Sequence, residues 1–530
     1  MSRRVTLSVS AATVAAAVLV PVSAGAQTPN SPSASPKLGV TVTHTGKGPT
    51  GYQATFRIKA PTATSMQIKG EWGFASFESV EADSSNAHPV APSDWKPGDF
   101  PLESPNSPGG YWPVASMTED TKTGVWSYTT PLPSGVFTYS YYANCTAAAP
   151  ALKGCTGTSD PANPPWNTTT GSTEANSQVY VPSDPKSGTA DASWEADAPA
   201  GQRGKLVDVA YPTPNTATGT HPLAVYTPAG YDPKRKTPYP VLVLTHGGGG
   251  NEMDWSTQGR MQQIVDNLTR TGKMQPTVIV MPDGGGLTSG ASFTSEVADQ
   301  ILPYVEKNYH VGTSANDRSF AGLSAYGTQA NNFLFTDTSE FGYYGVWSPA
   351  AGAPGVVGNG SGNPVLDADY TNPALKQVLG IHLGIGAEDL GGNLPALTAV
   401  TERVGMLNAG VPFTFYTTGG GHTWDFWRQA LRDFLTKVDF RATTTTVSTT
   451  TAKNTAKATA SVSAATDEPV APTGTVQFKV DGTDLGKPVK LAGGKATVSA
   501  TASQLSGHTI TAVYSGATTY NPSTSAAVTG

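Results

Sequence analysis

Between residues 239 and 438 the chain alternates short apolar runs with stretches of helical periodicity, and no other feature of the sequence limits the fold as much. Apolar runs bounded by turn residues fall at 239–245 (YPVLVLT), 277–281 (TVIVM), 318–322, 343–347, 378–385 and 412–417. Helical candidates lie between or after them at 259–271, 292–309, 327–335, 394–408 and 423–438. In the last of these, Phe426, Ala430, Phe434 and Val438 share one stripe. Strands that are apolar throughout need cover on both faces, which a parallel sheet with helices on each side supplies. An α/β core over residues 205–440 is expected.

The flanks follow a different pattern. Residues 38–182 carry short alternating runs between turns, such as YQATFRI (52–58) and GVFTYSYY (135–142), which predict half-buried antiparallel strands of a β-sandwich. Residues 183–204 have the Ala, Asp, Pro and Gly content of a linker. Residues 445–530 again alternate without helical stretches, as in GTVQFKVDG (474–482) and HTITAVY (508–514), and predict a second sandwich. A length of 530 residues suits this division into about three domains. Gly and Pro are abundant, at 58 and 42, but 10 Trp, 20 Tyr and 16 Phe exclude a disordered or collagen-like chain.

Residues 1–26 read as a signal peptide. A basic head (Arg3, Arg4) precedes a weakly apolar stretch that ends in the small-x-small sequence Ala24-Gly25-Ala26. Residues 27–36 are a Ser/Pro-rich lead. No later segment is apolar for long enough to span a membrane, and the final Val528-Thr529-Gly530 carries no sorting signal, so a secreted, extracellular protein is expected. In that compartment Cys145 and Cys155 predict a local disulfide. A formal charge of −6 leaves no basic excess for nucleic acid. The remaining histidines (His44, His88, His221, His310, His382 and His508) lack ligand spacing, so neither metal nor cofactor is expected. Trp72, Trp95, Trp112 and Trp126 form either a core or a sugar-stacking face, the core being the expected role for most.

Four elements carry the case for chemistry. In RSFAGLSAYG (318–327) an apolar strand ends at Ser324 and a helix begins, so Ser324 is either a helix cap or a nucleophile raised above the sheet edge. Tyr326 stands where the G-x-S-x-G pattern has glycine, so its ring must leave the turn or distort it. LTHGGGGNEMDW (244–255) follows an earlier strand, and its glycines allow backbone N–H groups to face an oxyanion; His246 there is expected to be a structural hydrogen-bonder. GAED (386–389) supplies Asp389 or Glu388 as a carboxylate that orients a histidine. GGGHTWDFWRQAL (419–431) sets His422 in a glycine loop after the final strand, where it can act as a general base. The order of glycine loop, serine, acid and histidine is that of an α/β-hydrolase.

These segments, with VIVMPDG (278–284) and ILPYVEKNY (301–309), resemble the esterase D and feruloyl esterase branch of the α/β-hydrolases, which includes the mycolyltransferases. The resemblance implies Ser324 as nucleophile, Asp389 as acid, His422 as base, and backbone N–H groups at Gly248 and Ala325 as the oxyanion hole. Residues 38–182 are similar to the Ig-like domain that precedes such esterases, and the C-terminal segment resembles bacterial Ig-like repeats. The fold expected is therefore an α/β-hydrolase flanked by two all-β Ig-like sandwiches. The activity expected is hydrolysis of carboxylic esters through an acyl-enzyme, with acetyl or feruloyl esters of polysaccharides as substrates. Two alternatives stand beside it: acyl transfer of the mycolyltransferase type, and a non-catalytic carbohydrate- or surface-binding protein with a degenerate core.

Overall fold

The computed structural model describes residues 37–76, 90–101, 112–149, 152–165, 176–288, 291–349, 367–389, 394–465, 472–517 and 520–530. The expected signal peptide and the lead after it lie outside them. The first strands are β1 (Gly39–His44), β2 (Tyr52–Lys59), β3 (Met66–Gly70), β4 (Phe74–Ala75), β5 (Phe100–Pro101), β6 (Val114–Ser116), β7 (Thr118–Asp120), β8 (Val125–Pro131), β9 (Gly135–Ala143) and β10 (Ser177–Val181). They make two four-stranded antiparallel sheets, β1-β2-β8-β7 and β10-β9-β3-β6, while β4 pairs with β5. The two sheets share one apolar cluster that includes Phe56, Ile68, Trp72, Trp126 and Tyr139. The disulfide Cys145–Cys155 is formed beside this region, with its Cα atoms 5.7 Å apart.

Alternation predicts that β9 is buried on one face only, yet its first seven residues are all buried. Phe137, Tyr139 and Tyr141 enter the cluster between the sheets. Thr138 and Ser140, on the opposite face, are covered as well, because that face packs toward the α/β core.

The central sheet has eight strands in the order β11-β12-β14-β13-β15-β16-β17-β18. They are β11 (Lys205–Pro212), β12 (Thr220–Thr227), β13 (Val241–Thr245), β14 (Val278–Pro282), β15 (Arg318–Leu323), β16 (Tyr343–Trp347), β17 (Gly380–Gly386) and β18 (Thr414–Thr418). Strands β13 to β18 pair in parallel where the apolar runs predict them. The antiparallel pairing of β11 and β12 with one another and with β14 was not foreseen, because the broken alternation of KLVDVAYP does not read as part of a two-sided sheet.

Helices α1 (Met261–Arg270), α2 (Leu302–Asn308), α3 (Ser324–Thr336), α4 (Leu394–Ala409) and α5 (Trp424–Lys437) cover the sheet. One apolar layer joins α1 and α5 to one face through Ile264, Leu268, Phe426 and Phe434. A second layer joins α2, α3 and α4 to the other through Leu302, Phe333, Leu334 and Met406. Strand β13 lies between β14 and β15, so the crossovers leave in opposite directions at its carboxyl end, and such a switch point opens a crevice there. After α5, strands β19 (Thr443–Ala452), β20 (Thr455–Ala464) and β22 (Lys495–Thr501) form one sheet. A second forms around β21 (Thr475–Val480) and β23 (Thr509–Tyr514), sharing a core of Phe478, Ile510 and Tyr514.

The segment 183–204, with a linker's composition, is pinned on both sides. It runs through short 3-10 turns at Pro185–Ser187, Ser193–Glu195 and Ala200–Gln202. Asp184 accepts from the Lys186 N–H at 3.0 Å and meets His44 at 3.0 Å. Asn267 of α1 donates to the carbonyls of Trp194 and Ala196 at 3.1 and 2.7 Å. Glu195 itself is buried and forms an ion pair with Arg428 of α5 at 2.9 Å. Arg428 is also buried; it donates to the carbonyl of Gln258 at 2.9 Å and to that of Val136 in β9 at 3.0 Å.

Burial pushes the carboxyls of Glu71 and Glu195 up to about 7, against the pull of Arg428. The repulsion of Asp425 adds to the rise, and Arg260 opposes it at Glu195. The folded chain thus retains protons that the unfolded chain releases near pH 4.5. The stability tied to these acids is complete below that pH and is lost as pH rises through about 7. Urea midpoints measured between pH 5 and 8 are expected to fall with pH in the wild type and to fall less steeply in Glu71→Gln; equal slopes would remove Glu71 from this account.

Candidate active site

The serine turn is built by close packing. Strand β15 ends at Leu323 and α3 begins at Ser324, whose φ of +53° lies in the left-handed region. A non-glycine residue there costs on the order of 1–3 kcal/mol, so the surrounding structure must hold it. Two glycines permit this. A Cβ on Gly322 would lie 2.3 Å from Thr245 Oγ1 and 2.4 Å from the Tyr326 carbonyl oxygen, and one on Gly327 would lie 2.7 Å from the Trp347 carbonyl oxygen. The tight approaches therefore fall two residues before and three after Ser324, not at position 326.

The Tyr326 ring leaves the turn. It packs 4.6 Å from the His246 ring and 4.8 Å from Phe293, over Gly284, where any Cβ would collide with the phenol. Burial pushes the Tyr326 hydroxyl up to about 12. His246 is a strut: its Nδ1–H donates to the Gly247 carbonyl at 2.6 Å and its Nε2 accepts the Gly284 N–H at 3.0 Å. Burial lowers its pKa, which keeps it in this neutral form.

His422 sits between Ser324 and Asp389. Its Nε2 is 2.9 Å from Ser324 Oγ, and its Nδ1 is 3.2 and 3.3 Å from the two oxygens of Asp389, a fully buried carboxylate. With the proton on Nδ1 donated to Asp389, Nε2 is the acceptor for the serine hydroxyl. Trp427 stands edge-on to the imidazole at 4.8 Å, and Thr423 caps α5 directly after it. The loops bearing the acid and the histidine are knitted together: the Glu388 N–H donates to the Gly420 carbonyl at 3.1 Å, while the Gly420 N–H donates to the Glu388 carboxylate. A Cβ on Gly386 would lie 2.2 Å from the Gly420 oxygen. The two acids weighed from sequence thus have different partners, Asp389 the imidazole and Glu388 a backbone N–H.

The glycine loop after β13 lies against the serine turn. A Cβ on Gly247 would stand 3.5 Å from Ser324 Cβ, and one on Gly248 3.5 Å from Ala325 Cβ. Above these groups opens a cavity of about 530 Å³, whose walls include Gly248, Ser324, His422, Trp424 and Trp427. Another wall was not anticipated: Lys69, Glu71, Trp112, Ser140, Tyr142 and Asn176 come from the β-rich N-terminal region. Trp72, Trp95 and Trp126 are core residues at 1%, 6% and 7% exposure, so of the four tryptophans weighed there only Trp112 reaches the cavity. The signal that could have identified this wall is the set of polar residues on the second face of β9.

Residues 215–438 match the family model described as "Putative esterase", and residues 442–530 match "Bacterial Ig-like domain (group 3)". An endo-1,4-beta-xylanase/feruloyl esterase of Xylanibacter ruminicola is 35% identical over 138 residues, which is 23% of this chain and 19% of that protein. Endo-1,4-beta-xylanase Y of Acetivibrio thermocellus is 33% identical over 141 residues, 24% of this chain and 13% of that protein. The chain thus spans a fifth or less of the length of these relatives. Among solved structures, a ferulic acid esterase aligns at 23% identity and a TM-score of 0.38, covering 44% of this chain and 96% of its own, a likeness too loose to build on. The esterase model thus spans the described sheet from β12 through α5, and the Ig-like model spans the two C-terminal sheets.

Proposed function

We propose that the protein is a secreted serine esterase that cleaves carboxylic esters through an acyl-enzyme. The observation that carries this reading is the position of His422, within 2.9 Å of Ser324 Oγ and 3.2 Å of Asp389. His422 takes the serine proton as Oγ attacks the ester carbonyl, and Asp389 stabilises the imidazolium that forms. The N–H groups of Gly248 and Ala325 receive the oxyanion. As the tetrahedral species collapses, the ester C–O bond breaks and His422 returns the proton to the leaving alcohol. Water, deprotonated by the same imidazole, then releases the acid and restores Ser324. The outward turn of Tyr326 supports a working serine elbow over a degenerate one.

The domain plan proposed is a signal peptide at 1–26, an Ig-like sandwich at 38–182, a connecting segment at 183–204, the esterase at 205–440 and a C-terminal Ig-like domain at 445–530. The disulfide supports export to an oxidising compartment. Among the described residues no helix is long and apolar enough to cross a membrane. Acetyl or feruloyl esters of polysaccharides are the proposed substrates, and the printed name of one relative, an endo-1,4-beta-xylanase/feruloyl esterase, supports the feruloyl class.

A panel of methyl ferulate, acetylated xylan and a long-chain acyl ester tests the substrate class; turnover of the long-chain ester alone would reject it. For the site, Ser324→Ala is expected to abolish turnover of an aryl acetate, and full activity in that variant would move the nucleophile elsewhere. Asp389→Asn is expected to lower kcat by about 10⁴-fold. Glu388→Gln, which keeps an oxygen for the Gly420 N–H, should cost less than about ten-fold, and the reverse ranking would transfer the acid's role to Glu388.

A further inference from the structure

Strand β16 ends at Trp347, and the next residue, Ser348, turns the chain with a φ of +43°. Packing against the serine turn dictates this path. A Cβ on Gly327 of α3 would lie 2.7 Å from the Trp347 carbonyl oxygen and 3.3 Å from Pro349 Cα. The Ser348 N–H donates to the Gly384 carbonyl of β17 at 2.8 Å. The left-handed region favours glycine, so the backbone gives no reason for a serine at this position. Its side chain does: the residue is fully buried, and Oγ accepts the indole N–H of Trp427 at 3.2 Å.

Trp427 in turn stands against the imidazole. The two ring centroids are 4.8 Å apart and the planes meet at 85°, an edge-to-face contact. Asp389 alone leaves the tilt of the imidazole open. Its oxygens lie 3.2 and 3.3 Å from Nδ1, and one N–H cannot point straight at both. The carboxylate therefore tethers the ring at a single atom, and the ring rocks about that tether unless a neighbour stops it. We propose that Ser348 is a positioning residue for the reaction: by fixing the indole of Trp427 it holds His422 at the tilt that keeps Nε2 on Ser324 Oγ. The proposal rests on the esterase reading above. The tilt matters twice, since the same Nε2 takes the serine proton and later delivers it to the leaving oxygen. Ser348 is buried while Trp427 lines the cavity, so loss of the serine hydroxyl falls on turnover and not on substrate binding.

The test measures kcat and KM for an aryl acetate, together with melting temperatures, in the full chain. The variants are Ser348→Ala, Ser348→Gly, Trp427→Phe, the double variant Ser348→Ala/Trp427→Phe, and Ser324→Ala. Ser348→Ala is expected to lower kcat about ten-fold with KM within about two-fold of wild type, the scale of a small misplacement of a catalytic group. Ser348→Gly removes the hydroxyl but relieves the left-handed backbone, so it should match that loss while melting at or above the temperature of Ser348→Ala. Trp427→Phe keeps a ring without the N–H, and the double variant should be no slower than Trp427→Phe alone, because the two residues act as one unit. A kcat in Ser348→Ala within about three-fold of wild type, or losses that multiply in the double variant, overturns the role. So does failure of both Ser348 variants to fold, which would make the serine purely structural. These outcomes are read against an active wild type and an inactive Ser324→Ala. A wild type without turnover, or full activity in Ser324→Ala, overturns the esterase reading and the positioning role with it.

Discussion

Arg428 is a buried guanidinium facing more acid than it can neutralise. Glu195 is in contact with it, Asp425 lies 3.8 Å away, and Glu71 is held near it with a carboxyl raised by burial. Removing one partner from such a buried cluster typically costs about 3–5 kcal/mol, since the charge left behind has neither water nor counter-ion. The acids belong to three separate parts of the sequence: the N-terminal sheets, the connecting segment and helix α5. The cluster therefore fixes the β-rich region against the helix that follows His422, and the cavity between them takes its shape from that attachment.

The serine turn depends on a second constraint, the absence of side-chain atoms. Gly322 and Gly327 are each pressed against backbone or a neighbouring side chain where a Cβ cannot fit. This close approach allows Ser324 to keep a left-handed φ while its hydroxyl reaches His422. Tyr326 is tolerated because the position two after the serine points out of the turn, toward Phe293 and His246. A pattern that asks for glycine there describes the common solution, whereas the contact that must be avoided here lies one residue later.

Apolar runs of five or six residues between turns are read easily, and β13 to β17 lie where those runs fall, because a strand buried on both faces has little that is polar to confuse it. Strand β11 escaped because an edge position lets polar residues interrupt the pattern, and β12, inside the sheet, because Thr220, His221 and Pro222 break the apolar run at its start. Ser324, His422 and the acidic pair were legible for a related reason: each closes a strand of the sheet and so falls in a loop at the same edge. The choice between Glu388 and Asp389 was not legible, since adjacent residues in one loop differ only in which partner each side chain reaches. The packing of 183–204 was likewise hidden, because Ala, Pro and Gly read as a linker whatever lies beneath them, and the buried Glu195 gains its meaning only from Arg428, far away in sequence.

The wall formed by Lys69, Trp112, Ser140 and Asn176 was the least legible part for the same physical reason. A polar residue on the second face of a sandwich strand looks identical whether it meets solvent or the mouth of another domain's cavity. The cavity is thus bounded by glycine loops on one side and by side chains of a separate sheet on another. Glu71 joins the two features, since it lies in the charge cluster around Arg428 and also in the wall of the cavity. In this arrangement the cavity takes one wall from the segment that matches the esterase model and another from residues that the match does not include.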